Sequence, residues 1–101
     1  MRILLNIIIP TDTFNAAVRD GTVGGKLQRI LDHSKPEAIY FTEHDGLRGA
    51  IMVVNVESAS QVPYHAEPWF LTFNADVQFR LAMTPEDLHS AGLDELGKQW
   101  A

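Results

Sequence analysis

His65 is the first candidate for chemistry in this chain, because an imidazole titrates near neutral pH and can serve as a general acid or base on a bound ring. Tyr64 precedes it and Trp69 follows four residues later, so on a helix His65 and Trp69 share one face. If that helix roofs a pocket, His65 is its proton-transfer group and Trp69 a flat apolar wall. The competing reading makes His65 a helix-surface residue beside Glu67. Asn6, Asn55 and Tyr40 carry groups that can fix a substrate oxygen. Arg80 can meet an anion, although its place on the polar side of a strand predicts solvent or a partner subunit as its neighbour.

Other chemistries find less support in the residue types. Glu43-His44-Asp45 resembles a metal or acid-base cluster, but neighbours along a strand point to opposite faces, so the three read as solvated turn residues. Gly24-Gly25-Lys26 lacks the Ser or Thr and the earlier glycine that a phosphate loop requires, and reads as a helix irregularity. The four histidines, at 33, 44, 65 and 89, have no helical ligand spacing, and there is no cysteine. No metal site and no cofactor are expected. Haem, which needs a single histidine, is a minor alternative. His33, near a helix C-terminus, is expected to complement the helix dipole.

The elements that must position these residues follow from periodicity. Residues 2–9 are apolar on both alternation faces except at Asn6, as in a central strand covered on both sides. Thr11, Asp12 and Thr13 offer caps for a helix that changes phase at Gly21, Gly24 and Gly25, where a kink, a break or a close backbone contact is expected. A strand near Glu37–Glu43 and another from Arg48 to Glu57 are joined by the Asp45-Gly46 hairpin turn. Asn55 interrupts the second of these as Asn6 interrupts the first strand, and the two amides can satisfy one another, or water, or mark a pocket floor. A second helix carries Val62, Ala66, Trp69, Phe70 and Phe73 inward and should kink or restart at Pro68. The alternation from Asp76 to Thr84 then places Val77, Phe79, Leu81 and Met83 on one side of an edge strand. Thr84-Pro85-Glu86-Asp87 opens a C-terminal helical extension, 85–101, broken near Gly92 and docked by Leu93, Leu96 and Trp100.

This order predicts one domain over residues 1–101 of class α+β: a ferredoxin-like βαββαβ unit with a four-stranded antiparallel sheet and an extra C-terminal helix. Both helices of such a unit cover one sheet face. The other face, apolar through Ile3–Ile9 and Ala50–Val56, predicts sheet-to-sheet packing with a second copy. A net charge of −5 with no basic run argues against nucleic acid. Leu4–Ile9 is too short for a leader segment or a membrane span, so a soluble cytoplasmic protein is expected.

The element order of residues 1–84 resembles the dimeric α+β barrel proteins, in particular small members of the muconolactone isomerase type. The local likeness lies in Glu67-Pro68-Trp69-Phe70 leading into Asn74-Ala75-Asp76-Val77-Gln78-Phe79, which is similar to the proline-aromatic junction before the last strand in that group. The resemblance implies the fold and a homodimer. It also implies a range of activities: isomerases, cofactor-independent monooxygenases and haem-handling enzymes. It assigns no catalytic residue here, and the tail after Thr84 lies outside it. Two functions follow as expectations. One is a small cofactor-independent isomerase or monooxygenase acting on a cyclic or aromatic organic molecule, with His65, Asn6, Asn55, Tyr40 and Trp69 around its pocket. The other is a noncatalytic dimeric binding or interaction module with an apolar cavity at Phe14, Trp69, Phe70 and Phe79. A cavity of roughly 300 Å³ or more with His65, Asn6 or Asn55 pointing into it separates the two.

Overall fold

A computed structural model describes all 101 residues. The apolar run at the start forms β1 (Arg2–Ile9), and α1 (Thr11–Arg19) and α2 (Val23–Ser34) follow it. Then come β2 (Ala38–His44), β3 (Leu47–Asn55), α3 (Val62–Phe73) and β4 (Asp76–Ala82), and two short helices, α4 (Pro85–His89) and α5 (Leu93–Gln99), end the chain. The strands form one antiparallel sheet in the order β2-β3-β1-β4. Both strands with two-sided apolar character are therefore central, and the arrangement is the expected ferredoxin-like α+β fold.

The core lies on one face of this sheet. Ile3, Leu5, Ile7 and Ile9 of β1 and Ala50, Met52 and Val54 of β3 point to that face and are buried under Ala17, Ile30, Ala66, Trp69 and Phe73 of the helices. Each large side chain buried there contributes about 1.5–3 kcal/mol relative to exposure. The opposite face has no helix on it and carries Leu4, Ile8, Ile51 and Val53, all half-buried.

Local chemistry explains where the elements begin and end. The helical phase change is a break: α1 ends at Arg19, Gly21 takes φ +80°, and Asp20 accepts hydrogen bonds from the Thr22 backbone and hydroxyl before α2 starts. Pro10, rather than Thr11, Asp12 or Thr13, stands at the N-cap of α1. The Thr13 hydroxyl serves elsewhere, its proton shared between the carbonyls of Phe73 at 2.7 Å and Pro10 at 3.1 Å, which ties α1 to the end of α3. The Asp45-Gly46 turn has φ of 49° and 83°, as a two-residue hairpin needs. Asn74 closes α3 in the left-handed conformation, so the backbone N–H groups of Asn74 and Ala75 reach the carbonyls of Phe70 and Trp69.

Several expectations are corrected. Helix α3 runs unbroken through Pro68. The carbonyl that the missing Pro68 N–H would have engaged is that of Tyr64, and His33 Nε2 takes it at 2.8 Å. Asn6 and Asn55 do not meet: Asn6 pairs across the sheet with Ile51 and Gln78, whereas Asn55 pairs with Arg2 at the end of β1. Phe79, Leu81 and Met83 lie toward the helix side, as their register with Leu5 and Ile3 requires, but α3 does not cover them and they stay 55%, 64% and 70% exposed. The C-terminal extension does not dock. Every residue from Pro85 to Ala101 is exposed, and the chain measures 60 Å along its longest axis with a radius of gyration of 17.0 Å. A compact chain of this length would have a radius near 13 Å, so the tail projects as an arm. No helix is long and apolar enough to cross a membrane.

Candidate functional site

The five residues singled out in the sequence divide between the two faces of the sheet. His65 and Trp69 sit on the inward side of α3, in the helix layer. Asn6, Asn55 and Tyr40 lie on the opposite face, where Tyr40, Ile51, Asn6 and Gln78 form one cross-strand row. Within one protomer these side chains do not share a pocket.

His65 is only 7% exposed, and its Nδ1 has no hydrogen-bond partner. Burial, and secondarily the charge of His33, hold its pKa below the usual 6.5, which keeps the ring neutral near pH 7. Its ring meets Tyr64 edge-on at 5.1 Å. One turn further, Trp69 is fully buried with its indole N–H unpartnered, and the Ser34 hydroxyl of α2 is likewise buried and unpaired. On the other face Asn55 is fully engaged. It accepts from the Met1 ammonium at 3.0 Å and donates to Glu37, which also holds Arg2 at 2.9 Å. Asn6 makes no side-chain hydrogen bond, and Tyr40 stands exposed on edge strand β2.

Two surface grooves of about 430 and 400 Å³ open on the helix side of the molecule, and neither is lined by His65, Asn6, Asn55, Tyr40 or Trp69. The first, about 430 Å³, runs over the outside of the helix layer between α2 and α3, past Arg29, His33, Tyr64, Glu67 and Leu71. Its histidine already has work. The His33 ring stacks on Tyr64 at 3.8 Å while its Nε2–H donates to the Tyr64 carbonyl, and the Tyr64 hydroxyl donates back to the His33 carbonyl at 3.1 Å. This reciprocal pair locks α2 to α3 and compensates Pro68.

The second groove, about 400 Å³, lies on the helix side of the β2–β3 end of the sheet. Ile9, Leu27, Phe14 and Phe41 give it apolar walls, and Arg48 supplies its only charge. The guanidinium sits 4.5 Å above the Phe14 ring and donates to Asn15 Oδ1 at 2.7 Å, with no carboxylate in salt-bridge range. Gly49 beside it has no room for a side chain, since a Cβ there would meet the Ile7 carbonyl oxygen at 2.5 Å. The groove can therefore hold a flat ring between aromatic and aliphatic walls and direct an anionic oxygen at a cation that forms no salt bridge, its cross-strand neighbour Glu43 being bonded instead to the Gly46 N–H. Arg48 was missed in the sequence. The signal was its parity with buried Ala50, Met52 and Val54, which turns this charge toward the helix layer. No three His, Asp or Glu side chains converge anywhere in the structure.

No family model matches the chain, and no curated protein matches its sequence. Among solved structures it is similar to the 5-chloro-2-hydroxyhydroquinone dehydrochlorinase of Burkholderia phenoliruptrix AC1100, determined in complex with 2,5-dihydroxybenzoquinone. The TM-score is 0.55 at 17% identity, over 86% of this chain and 99% of that one, a likeness of fold. The de novo designed protein Ferredog-Diesel covers 80% of this chain and 85% of its own at TM-score 0.41 and 13% identity. Protein Atu4242 of Agrobacterium tumefaciens covers 84% and 96% at TM-score 0.41 and 10% identity.

Proposed function

We propose that this chain acts as a homodimer that takes up a small cyclic or aromatic molecule in the Arg48 groove and turns it over without a cofactor, as an isomerase-type enzyme. One observation carries this reading: a guanidinium that forms no salt bridge, set against Phe14 at the edge of an apolar groove. Such a cation stabilises a ring oxygen as its phenolate or enolate, the charge that develops when a ring bearing a hydroxyl or carbonyl gives a proton to solvent water at the groove and takes one back at another ring position. Phe14, Leu27 and Phe41 would hold the ring plane. The fold shared with a 5-chloro-2-hydroxyhydroquinone dehydrochlorinase is consistent with this class, and the element order of residues 1–84 supports reading the chain as the muconolactone isomerase type within it. The homodimer would form through the half-buried face of Leu4, Ile8, Ile51 and Val53, which has no cover within one chain.

A second reading is favoured by a specific observation. No histidine or carboxylate lines the Arg48 groove, and His65 lies outside it, so the groove alone fits a binding module. A thermal-shift screen with small phenolic, lactone and quinone compounds tests both. A ligand at one hundred times its dissociation constant stabilises by about 2.7 kcal/mol, which raises the melting temperature by roughly 10–20 °C in a domain of this size. The shift should vanish in Arg48→Ala and persist in Arg29→Ala, which alters only the outer groove. A silent panel, or a shift that survives Arg48→Ala, would end the proposal. For a compound that binds, a progressive change in its ultraviolet spectrum identifies an enzyme, and a constant spectrum identifies a binding module.

A further inference from the structure

We infer that the C-terminal arm, residues 85–101, is an exchanged element that packs on a second copy of this chain and covers the exposed stripe Phe79, Leu81 and Met83 on its β4. The inference rests on the homodimer reading above and adds to it the segment that holds the two copies together.

The arm is built rather than loose. Thr84 and Asp87 form a reciprocal capping box, each side chain accepting the other's backbone N–H at 3.0 Å, with Pro85 in the first turn. Gly92 at φ +72° then turns the chain into α5, where Leu93, Leu96 and Trp100 recur at the spacing of one helical stripe. Helices of five and seven residues are too short to persist in water unsupported, and neither buries a single residue on its own chain. Trp100 is 85% exposed. The arm thus presents a formed apolar face that needs a cover.

The same chain carries an uncovered surface of matching character. Phe79, Leu81 and Met83 run along the helix side of edge strand β4, beyond the reach of α3. The arm does not fold back onto this stripe in its own chain: Thr84 is extended, Pro85 opens α4 directly after it, and α4 and α5 run on with every residue exposed. In a two-fold dimer each arm can cross to the partner, and both uncovered surfaces close at once. Size agrees with this pairing, since 17 arm residues with part of the sheet face match the roughly 20–30 residues per side of a stable interface.

The absence of cysteine permits a direct test on the full chain. Leu96→Cys is labelled with a benzophenone maleimide, irradiated, and analysed by denaturing gel and peptide mass spectrometry. The expected product has the mass of two chains, with the cross-link mapped to residues 77–83. A single-chain product shows the arm folded on its own body and overturns the inference, as does a two-chain product mapped elsewhere. In parallel, sedimentation compares the full chain with a chain ending at Thr84. Loss of the arm should weaken dimerisation at least ~100-fold, the scale expected when several anchor residues are removed. If both chains are equally tight dimers, the sheet dimer stands and arm exchange fails. A full-length chain that is monomeric at micromolar concentration overturns both.

Discussion

Replacing Gly49 by alanine adds one methyl group at the point where β3 crosses β1. In the structure that carbon would lie 2.5 Å from the Ile7 carbonyl oxygen and 3.8 Å from that of Thr42. Both are backbone atoms of strands held in the ladder, Ile8 opposite Gly49 on one side and Thr42 opposite it on the other, so neither can swing aside as a side-chain tip would. Contact with carbon needs more than 3 Å, and the strands must part by over half an ångström. Forced overpacking of this kind costs typically 1–3 kcal/mol, and a clash with central backbone belongs at the upper end. A loss of about 2–3 kcal/mol lowers the melting temperature by roughly 10–20 °C. The same substitution at Gly25, an exposed position in α2 with nothing within 4 Å of the added carbon, should instead stabilise by about 0.5 kcal/mol through helix propensity. Urea unfolding followed by circular dichroism measures both. Equal midpoints for Gly49→Ala and the wild type would refute the steric reasoning, and so would a destabilised Gly25→Ala.

The remaining predictions concern the histidines and α3. Because burial lowers the pKa of His65, the unfolded chain takes up its proton first, and the contribution of this residue is fully present above pH 6.5 and lost as the pH falls below it. His65→Gln should therefore show a smaller drop in urea midpoint between pH 7.5 and 5.5 than the wild type; an unchanged drop would place the sensitivity elsewhere. Pro68→Ala restores the N–H that bonds the Tyr64 carbonyl and should stabilise the chain by about 1–3 kcal/mol, read from its melting temperature. His33→Ala removes the outside donor and should cost about 1 kcal/mol, but less in the Pro68→Ala background. A double-mutant cycle with no coupling would show that His33 does not compensate the proline. Trp69→Ala, at a fully buried site, should cost about 3–5 kcal/mol, and a loss under 1 kcal/mol in urea unfolding would contradict its place in the core.

Most of the fold was legible because it rests on patterns that neighbouring residues carry themselves. The run 2–9, the Asp45-Gly46 turn and the apolar spacing of Val62, Ala66, Trp69 and Phe73 each specify an element without knowledge of the others. The continuity of α3 was not legible, because the donor that rescues it, His33, lies 31 positions from Tyr64 in the chain. The grouping of Asn6 with Asn55 failed for a related reason: each is polar within an apolar strand, but only the register shows that Asn6 faces Ile51 and that Asn55 joins Met1 and Glu37 at the sheet end. Arg48 shows the converse. Its parity with Ala50 and Met52 was readable, yet a charge beside a turn resembles any solvated hairpin residue until Phe14 and Asn15 of another element are seen against it.

Periodicity records that a residue will be covered; it does not record by which chain. Val77 and Phe79 stand two residues apart on one strand, point the same way and read alike in the sequence, yet α3 packs on the first and leaves the second bare. Leu93, Leu96 and Trp100 likewise have the spacing of a core-facing stripe and meet no core. One apolar surface left open is an ordinary feature of a protein exterior. Beyond the open sheet face, two more on one chain, one on a capped arm and one on an edge strand that the arm does not meet, have a common physical solution in a reciprocal partner. That solution also bears on the chemistry. The inner residues His65 and Trp69 and the outer-face residues Asn6 and Tyr40 are separated by the full thickness of the sheet in one protomer. Any site that uses Asn6 or Tyr40 on the open face must draw its remaining walls from a second copy, whereas the Arg48 groove already has its walls within one chain. Ligand binding that disappears with Arg48→Ala but persists in a chain ending at Thr84, at a concentration where sedimentation shows that chain to be monomeric, would establish that the groove works without its partner.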